Sequence, residues 1–356
     1  MSRGFVNSSL LKESSIQSND SHIVYFSVMV AILTVGFIGN TLTIIVFAQK
    51  EHRSKIISPF IINLAVADLF IVVFGYPFAF GSNISNEKLL AGSRRCDWSA
   101  FVNGSIGIAS IAILTEMSLI MWYSITTMVV IKKKHFPTKF KVLLIGIAWV
   151  YGVLSMIPPL LGWSRFVPGS AGISCAPDWT STSNETLSYN ILLMLVGFTL
   201  PVTVTATSYI KLYRSLMSNN LLDRQFQNMP WLICRRKSQV NVARMVALSF
   251  IAFLLSWSPY CFVCLAAMFQ NTYAIKDGEA EIPELMAKAS VLYNPFIYVG
   301  MNKDARKTLS NLALRILHQA RSRSTLSIVS RRSKLSYVTW NYPEVISINN
   351  NQATST

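Results

Sequence analysis

Residues 285–302 read LMAKASVLYNPFIYVGMN, an apolar run interrupted by one charge, Lys288. As a helix, such a run approaches the roughly 20 residues that cross a bilayer. An ammonium at that depth costs roughly 2.5–3.5 kcal/mol even on lenient insertion scales, so it needs a partner or a task. Six runs of the same character lie upstream, at 23–49, 56–86, 98–131, 142–164, 186–210 and 245–275. Across all seven, only Asp68, Glu116 and Lys288 are charged, in a chain of 356 residues that is 52% hydrophobic. Seven such runs in series, separated by polar loops, predict an all-α fold: a seven-helix transmembrane bundle.

Charge placement orients the bundle. Lys50, Arg53 and Lys55 follow the first run, Lys132, Lys133, Lys134, Lys139 and Lys141 follow the third, and Arg235, Arg236 and Lys237 precede the sixth. These basic loops are expected on the cytoplasmic side, with the N-terminus outside and the plasma membrane as destination. The net charge of +16 is then a topology signal with attraction to anionic lipid, and nucleic-acid binding is not needed to explain it. Glycosylation acceptors at Asn7, Asn19, Asn83 and Asn184 all fall in outer segments. Residues 1–22 form a polar extracellular tail without the pattern of a cleavable signal peptide, so the first helix is the expected targeting signal. Of five cysteines, Cys96 and Cys175 lie on the oxidising side and are expected to pair, while Cys261 and Cys264 read as buried thiols of the sixth helix. No metal-ligating constellation is expected.

Gly39-Asn40, Asn63-Leu-Ala-Val-Ala-Asp68, Trp149, Pro201 and Tyr209, Ser256-Trp257-Ser258-Pro259-Tyr260, and Asn294-Pro295 with Tyr298 fall in order on successive helices. This ordered set resembles the rhodopsin-like (class A) G-protein-coupled receptors over residues 23–316. Within that superfamily, Ala287-Lys288-Ala289-Ser290, six residues before Asn294, is similar to the retinal attachment site of opsins. The resemblance implies retinal, 11-cis or all-trans, held as a Schiff base on Lys288, with light as the input and a heterotrimeric G protein as a candidate partner. A hydrocarbon pocket suits the polyene, and Phe253, Trp257 and Tyr260 share one face of the sixth helix by their spacing.

A cationic Schiff base in a site of low dielectric needs a counter-ion. Here the chain departs from the family: Ser99 and Gly169 stand where many opsins place a glutamate. Glu284, four residues before Lys288, shares its helical face one turn nearer the outside and is the leading candidate. The competing reading is a solvated rim carboxylate continuing Asp277, Glu279 and Glu281. Asp97 and Asp178, near the paired cysteines, come next, and Glu116 lies too near the cytoplasmic half. Without any counter-ion the bound chromophore would absorb in the near ultraviolet.

At the inner end, the family's Asp/Glu-Arg-Tyr triplet falls on Ile120-Met121-Trp122, and its acidic partner on the sixth helix falls on Gln239. Both halves of that resting-state lock are replaced. The stretch 107–115 resembles the peropsin, RGR-opsin and retinochrome group, several of whose members return isomerised retinal rather than a signal. Three readings stay open: a signalling opsin, a light-driven retinal isomerase, and a rhodopsin-like receptor for another ligand that uses Lys288 as an anion anchor. Asn103 replaces the aspartate typical of amine receptors and argues against an amine. The bundle is expected over 23–302, an amphipathic eighth helix on the inner leaflet over 303–317, and a disordered cytoplasmic tail over 318–356 with candidate kinase sites at Ser322, Ser324, Ser327, Ser330 and Ser333.

Overall fold

A computed structural model describes residues 8–53, 55–85, 87–127, 136–169, 172, 174–218, 230–270, 281–315 and 317–319. Lys132, Lys133 and Lys134, Asp277 and Glu279, Asn7 and the tail serines lie outside the described residues, as do the side chains of Asn19, Asn83, Arg235 and Glu281.

The chain is helical almost throughout. α1 spans Ser8–Phe47, α2 Lys50–Arg53, α3 Ser58–Phe74, α4 Tyr76–Ser85, α5 Arg94–Thr126 and α6 Thr138–Met156. A 3₁₀ turn, Pro158–Leu161, leads into a two-stranded antiparallel hairpin, β1 Phe166–Pro168 and β2 Cys175–Pro177, with Val167 opposite Ala176. α7 Asn184–Met194 passes through a π segment, Leu195–Thr199, into α8 Leu200–Ser218; α9 spans Pro230–Gln270, α10 Glu281–Lys288 and α11 Ser290–Met301. A further helix, α12, covers 303–315, and Asn302 Oδ1 caps its start by accepting from the amides of Asp304 and Ala305, each at 3.1 Å. Residues Met1–Ala305 form one compact unit; Arg306–Thr356 form a second.

Among the described residues, six stretches are long and apolar enough to cross a membrane: Ile23–Phe47, Ser58–Ser82, Arg94–Thr126, Thr138–Met156, Asn184–Met217 and Arg236–Gln270. The seventh crossing is α10 followed by α11. The 285–302 run reads as one segment, whereas the structure breaks it at Ala289. The Leu292 amide there donates to Ala289 O at 3.0 Å, an i−3 bond in place of the helical i−4 bond.

Side chains sort as a bilayer demands. On α6, Val142, Leu143, Ile147, Val150 and Leu154 form an exposed apolar stripe at helical spacing, which in lipid is the stable orientation. The opposite face presents Ala148, Gly152 and Met156 to α5. A Cβ at Gly152 would stand 2.3 Å from Ser105 O, so this glycine sets the α5–α6 approach. α5 is the axial helix, contacting α3, α6, α8 and α9 and both strands. α1 closes on α11 through Asn40, whose Nδ2 donates to Gly36 O at 2.9 Å and Val291 O at 3.0 Å. Pro295 has no N–H to give Val291, so Asn40 supplies the missing donor.

Candidate functional site

The helices leave a cavity in the half of the bundle next to the hairpin. Its wall is mainly aromatic, aliphatic and thioether, from α5, the end of α6, β2, the α7–α8 passage, α9 and α10, with Tyr76 of α4. The Cys96–Cys175 disulfide, Cα atoms 5.3 Å apart, ties β2 to the first turn of α5 and fixes the hairpin over the opening. Ser93 caps that helix by accepting from the Cys96 amide at 3.3 Å.

Lys288 reaches the wall at the last residue of α10 and is 6% exposed. Its ammonium pairs with the Glu284 carboxylate one turn earlier, whose side chain is 15% exposed. The i,i+4 spacing read from the sequence is therefore realised as an ion pair inside the cavity wall. Tyr25 of α1, fully buried, donates to Glu284 Oε1 at 3.5 Å. On the other side, the Tyr76 ring centre lies 5.8 Å from Lys288 Nζ, and the Tyr76 hydroxyl donates to Lys288 O at 3.1 Å.

Phe253, Trp257 and Tyr260 all line the cavity. Phe253 stacks on Trp257 with ring centres 5.6 Å apart, and Tyr260 meets Trp257 edge-on at 6.1 Å. Trp257 Nε1 donates to Ser290 Oγ at 3.3 Å, linking α9 to the first turn of α11. Gly107 leaves room for the ring, since a Cβ there would stand 2.8 Å from it. Beneath Trp257 a smaller void is lined by Asp68, Ser110 and Asn294, and Asn294 Nδ2 donates to Asp68 Oδ2 at 3.1 Å. Gly104 plays a matching part for Met156, whose methyl occupies the space a Cβ would take at 2.3 Å.

The other carboxylates named from sequence sit elsewhere. Asp178 accepts from Arg165, with Nε and NH2 each at 2.9 Å, and from Thr180, so its charge is already matched. Neither Asp97 nor Glu116 lines the cavity, and Ser99 serves as acceptor for Asn103 Nδ2 at 3.3 Å. Gly169 turns within the hairpin, its amide donating to Ser174 O at 2.9 Å.

At the opposite end Ile120 and Met121 are buried, and Trp122 lies 5.0 Å beneath the Lys211 ammonium of α8. The Tyr209 hydroxyl donates to Ala243 O at 2.9 Å, joining α8 to α9. An α5–α8 contact thus stands where an arginine–carboxylate contact between α5 and α9 would have been.

Tyr25, Tyr76 and Met156 are among the parts of this site that sequence reasoning missed as wall or support. Only Tyr76 carries a local signal, lying between Gly75 and Pro77, two helix breakers inside an apolar run.

Residues 39–298 match the family described as "7 transmembrane receptor (rhodopsin family)". The chain is 30% identical over 288 residues to "Rhodopsin, GQ-coupled" of Mizuhopecten yessoensis, covering 77% of this chain and 56% of that relative. It therefore spans little more than half of the scallop protein's length. It is 29% identical over 306 residues to "Visual pigment-like receptor peropsin" of Mus musculus, covering 86% of this chain and 88% of that relative. The crystal structure of squid rhodopsin superposes with a TM-score of 0.74 at 24% identity, covering 83% of this chain and 87% of the squid chain, which establishes the fold.

Proposed function

The chain belongs to the rhodopsin family of seven-transmembrane receptors, and from that premise we propose that it is an opsin, a multi-pass membrane photoreceptor that takes retinal onto Lys288. The observation that carries this reading is the buried Lys288 ammonium, paired with Glu284, in the wall of a largely apolar cavity. The residues present fit the group: an aldehyde on a polyene needs one amine and an apolar surround, and Lys288 is the one lysine among the lining residues. Joined to that nitrogen, retinal would supply visible-light absorption and double-bond isomerisation.

The chain's own residues do the rest. Glu284 sets a carboxylate against the lysine nitrogen and offsets the cost of a positive charge in the apolar wall. Phe253, Trp257 and Tyr260 fill the wall opposite and exclude water. Trp257, wedged between Gly107 and Ser290 above the Asp68–Asn294 pair, links a change in cavity shape to the inner half of α9 and α11, with the Pro259 region as the bending point. The basic loops favour a plasma-membrane orientation with the N-terminus and the disulfide outside, the α12 region on the inner leaflet, and a heterotrimeric G protein as candidate partner.

A second reading, a retinal photoisomerase that does not signal, draws support from Ile120, Met121 and Trp122 in place of the charged triplet and from the similarity to peropsin. Light-dependent nucleotide exchange on G proteins separates the two: exchange above the dark level supports the receptor, and its absence with efficient release of isomerised retinal supports the isomerase. For the shared premise, the purified protein is incubated with 11-cis or all-trans retinal beside Lys288→Ala. A retinal-dependent band that the variant lacks is the expected result; no band with either isomer sinks the opsin reading and favours a receptor for another ligand.

A further inference from the structure

We propose that Tyr76 is a positioning residue for Lys288: its hydroxyl holds the break in the seventh crossing at the lysine's own carbonyl, while its ring faces the ammonium. The proposal deepens the opsin reading, since it concerns how the attachment lysine is held, but its backbone half stands without any ligand.

The backbone half begins at Ala289. The Leu292 amide, which in an unbroken helix would serve Lys288 O, donates to Ala289 O instead. A carbonyl that loses its helical donor in a buried place is costly, and Lys288 and Tyr76 are only 6% and 2% exposed. The Tyr76 hydroxyl fills the vacancy at 3.1 Å. The break is thus stable because a side chain from the second crossing substitutes for the missing helical donor.

A second break brings Tyr76 there. α3 ends at Gly75, where a Cβ would stand 2.1 Å from Asn103 Oδ1, so the glycine leaves room for the Asn103 side chain of α5. The helix restarts at Tyr76 with Pro77 in its first turn, where a missing N–H costs nothing. The Gly75 break thus falls immediately before the residue whose side chain caps the break after Lys288.

The cation half is the 5.8 Å approach of Nζ to the ring face, which favours positive charge at the nitrogen and complements Glu284 on its other side. Tyr76→Phe removes the hydroxyl and keeps the ring; Tyr76→Leu removes both. The two halves are therefore separable in one experiment on the full-length protein in nanodiscs.

Hydrogen–deuterium exchange is followed by mass spectrometry in the retinal-free protein, and the retinal-loaded protein is titrated with pH while its visible band is recorded. Both variants are expected to exchange at least threefold faster at residues 289–292, with exchange in α5 and α9 unchanged. The visible band is expected to survive in Tyr76→Phe and, in Tyr76→Leu, to be lost about tenfold lower in hydroxide concentration. Wild-type exchange at 289–292 in Tyr76→Phe overturns the backbone half, and coincident titrations of the two variants overturn the cation half. If the wild type forms no band at all, the opsin reading fails with the cation half, while faster exchange still upholds the backbone half.

Discussion

Glu284→Gln keeps the shape of the Glu284 side chain and removes its charge, leaving the Tyr76 ring against the lysine cation. The retinal-loaded variant is expected to lose its visible absorption near neutral pH in favour of a near-ultraviolet band, read directly in a spectrophotometer. An unchanged visible band would overturn the counter-ion role of Glu284. Gly107→Val makes the complementary test on the wall: with a Cβ 2.8 Å from Trp257, the ring must swing into the cavity, and retinal uptake is expected to fall severalfold while Gly146→Val, at an open position, changes nothing. The Lys288–Glu284 pair was legible in the sequence because both lie on one helical face, and periodicity alone relates residues four apart. Tyr25 and Tyr76 were not, because they meet the pair across 259 and 212 residues of chain, and the pattern within one helix does not name its neighbours.

Among elements, the joints are where sequence and structure part. The long crossings could be read from apolar length alone, yet the Ala289 break has no glycine or proline at its site and comes from tertiary capping rather than local propensity. The α1–α11 joint is the same kind of device: Asn40→Ala leaves Val291 O without a donor, since Pro295 cannot provide one. Loss of a buried hydrogen bond of this type costs about 1–3 kcal/mol, and thermal unfolding in detergent is expected to begin several degrees lower. Gly152→Leu should be at least as damaging. The α5–α6 seam has no space for a side chain 2.3 Å from Ser105 O, and overpacking costs about 1–3 kcal/mol or more, visible in the same melting assay.

Across the whole molecule, the inner end has lost one charged lock and holds its helices by other means. Restoring the arginine alone is expected to harm rather than help: Met121 is 3% exposed, and Met121→Arg would bury a charge, with Gln239 rather than a carboxylate at the position where the family resemblance puts its partner. Breaking a buried pair by omitting one partner costs about 3–5 kcal/mol, so Met121→Arg should melt early, and adding Gln239→Glu should recover part of the loss. The missing triplet was legible by counting from Cys96, whereas the Trp122–Lys211 contact that occupies its place was not, because a lysine near the cytoplasm first reads as a topology signal. In the cavity wall, Lys288 and Glu284 ride on a single eight-residue helix. When α10 shifts as a rigid rod, equal and opposite charges move together, so no net charge is displaced along the membrane normal. A transmembrane potential does about 2.3 kcal/mol of work per elementary charge per 100 mV, and on this pair the two contributions cancel. A rigid shift of α10 is therefore electrically silent at this pair: the membrane potential finds no net charge there to pull.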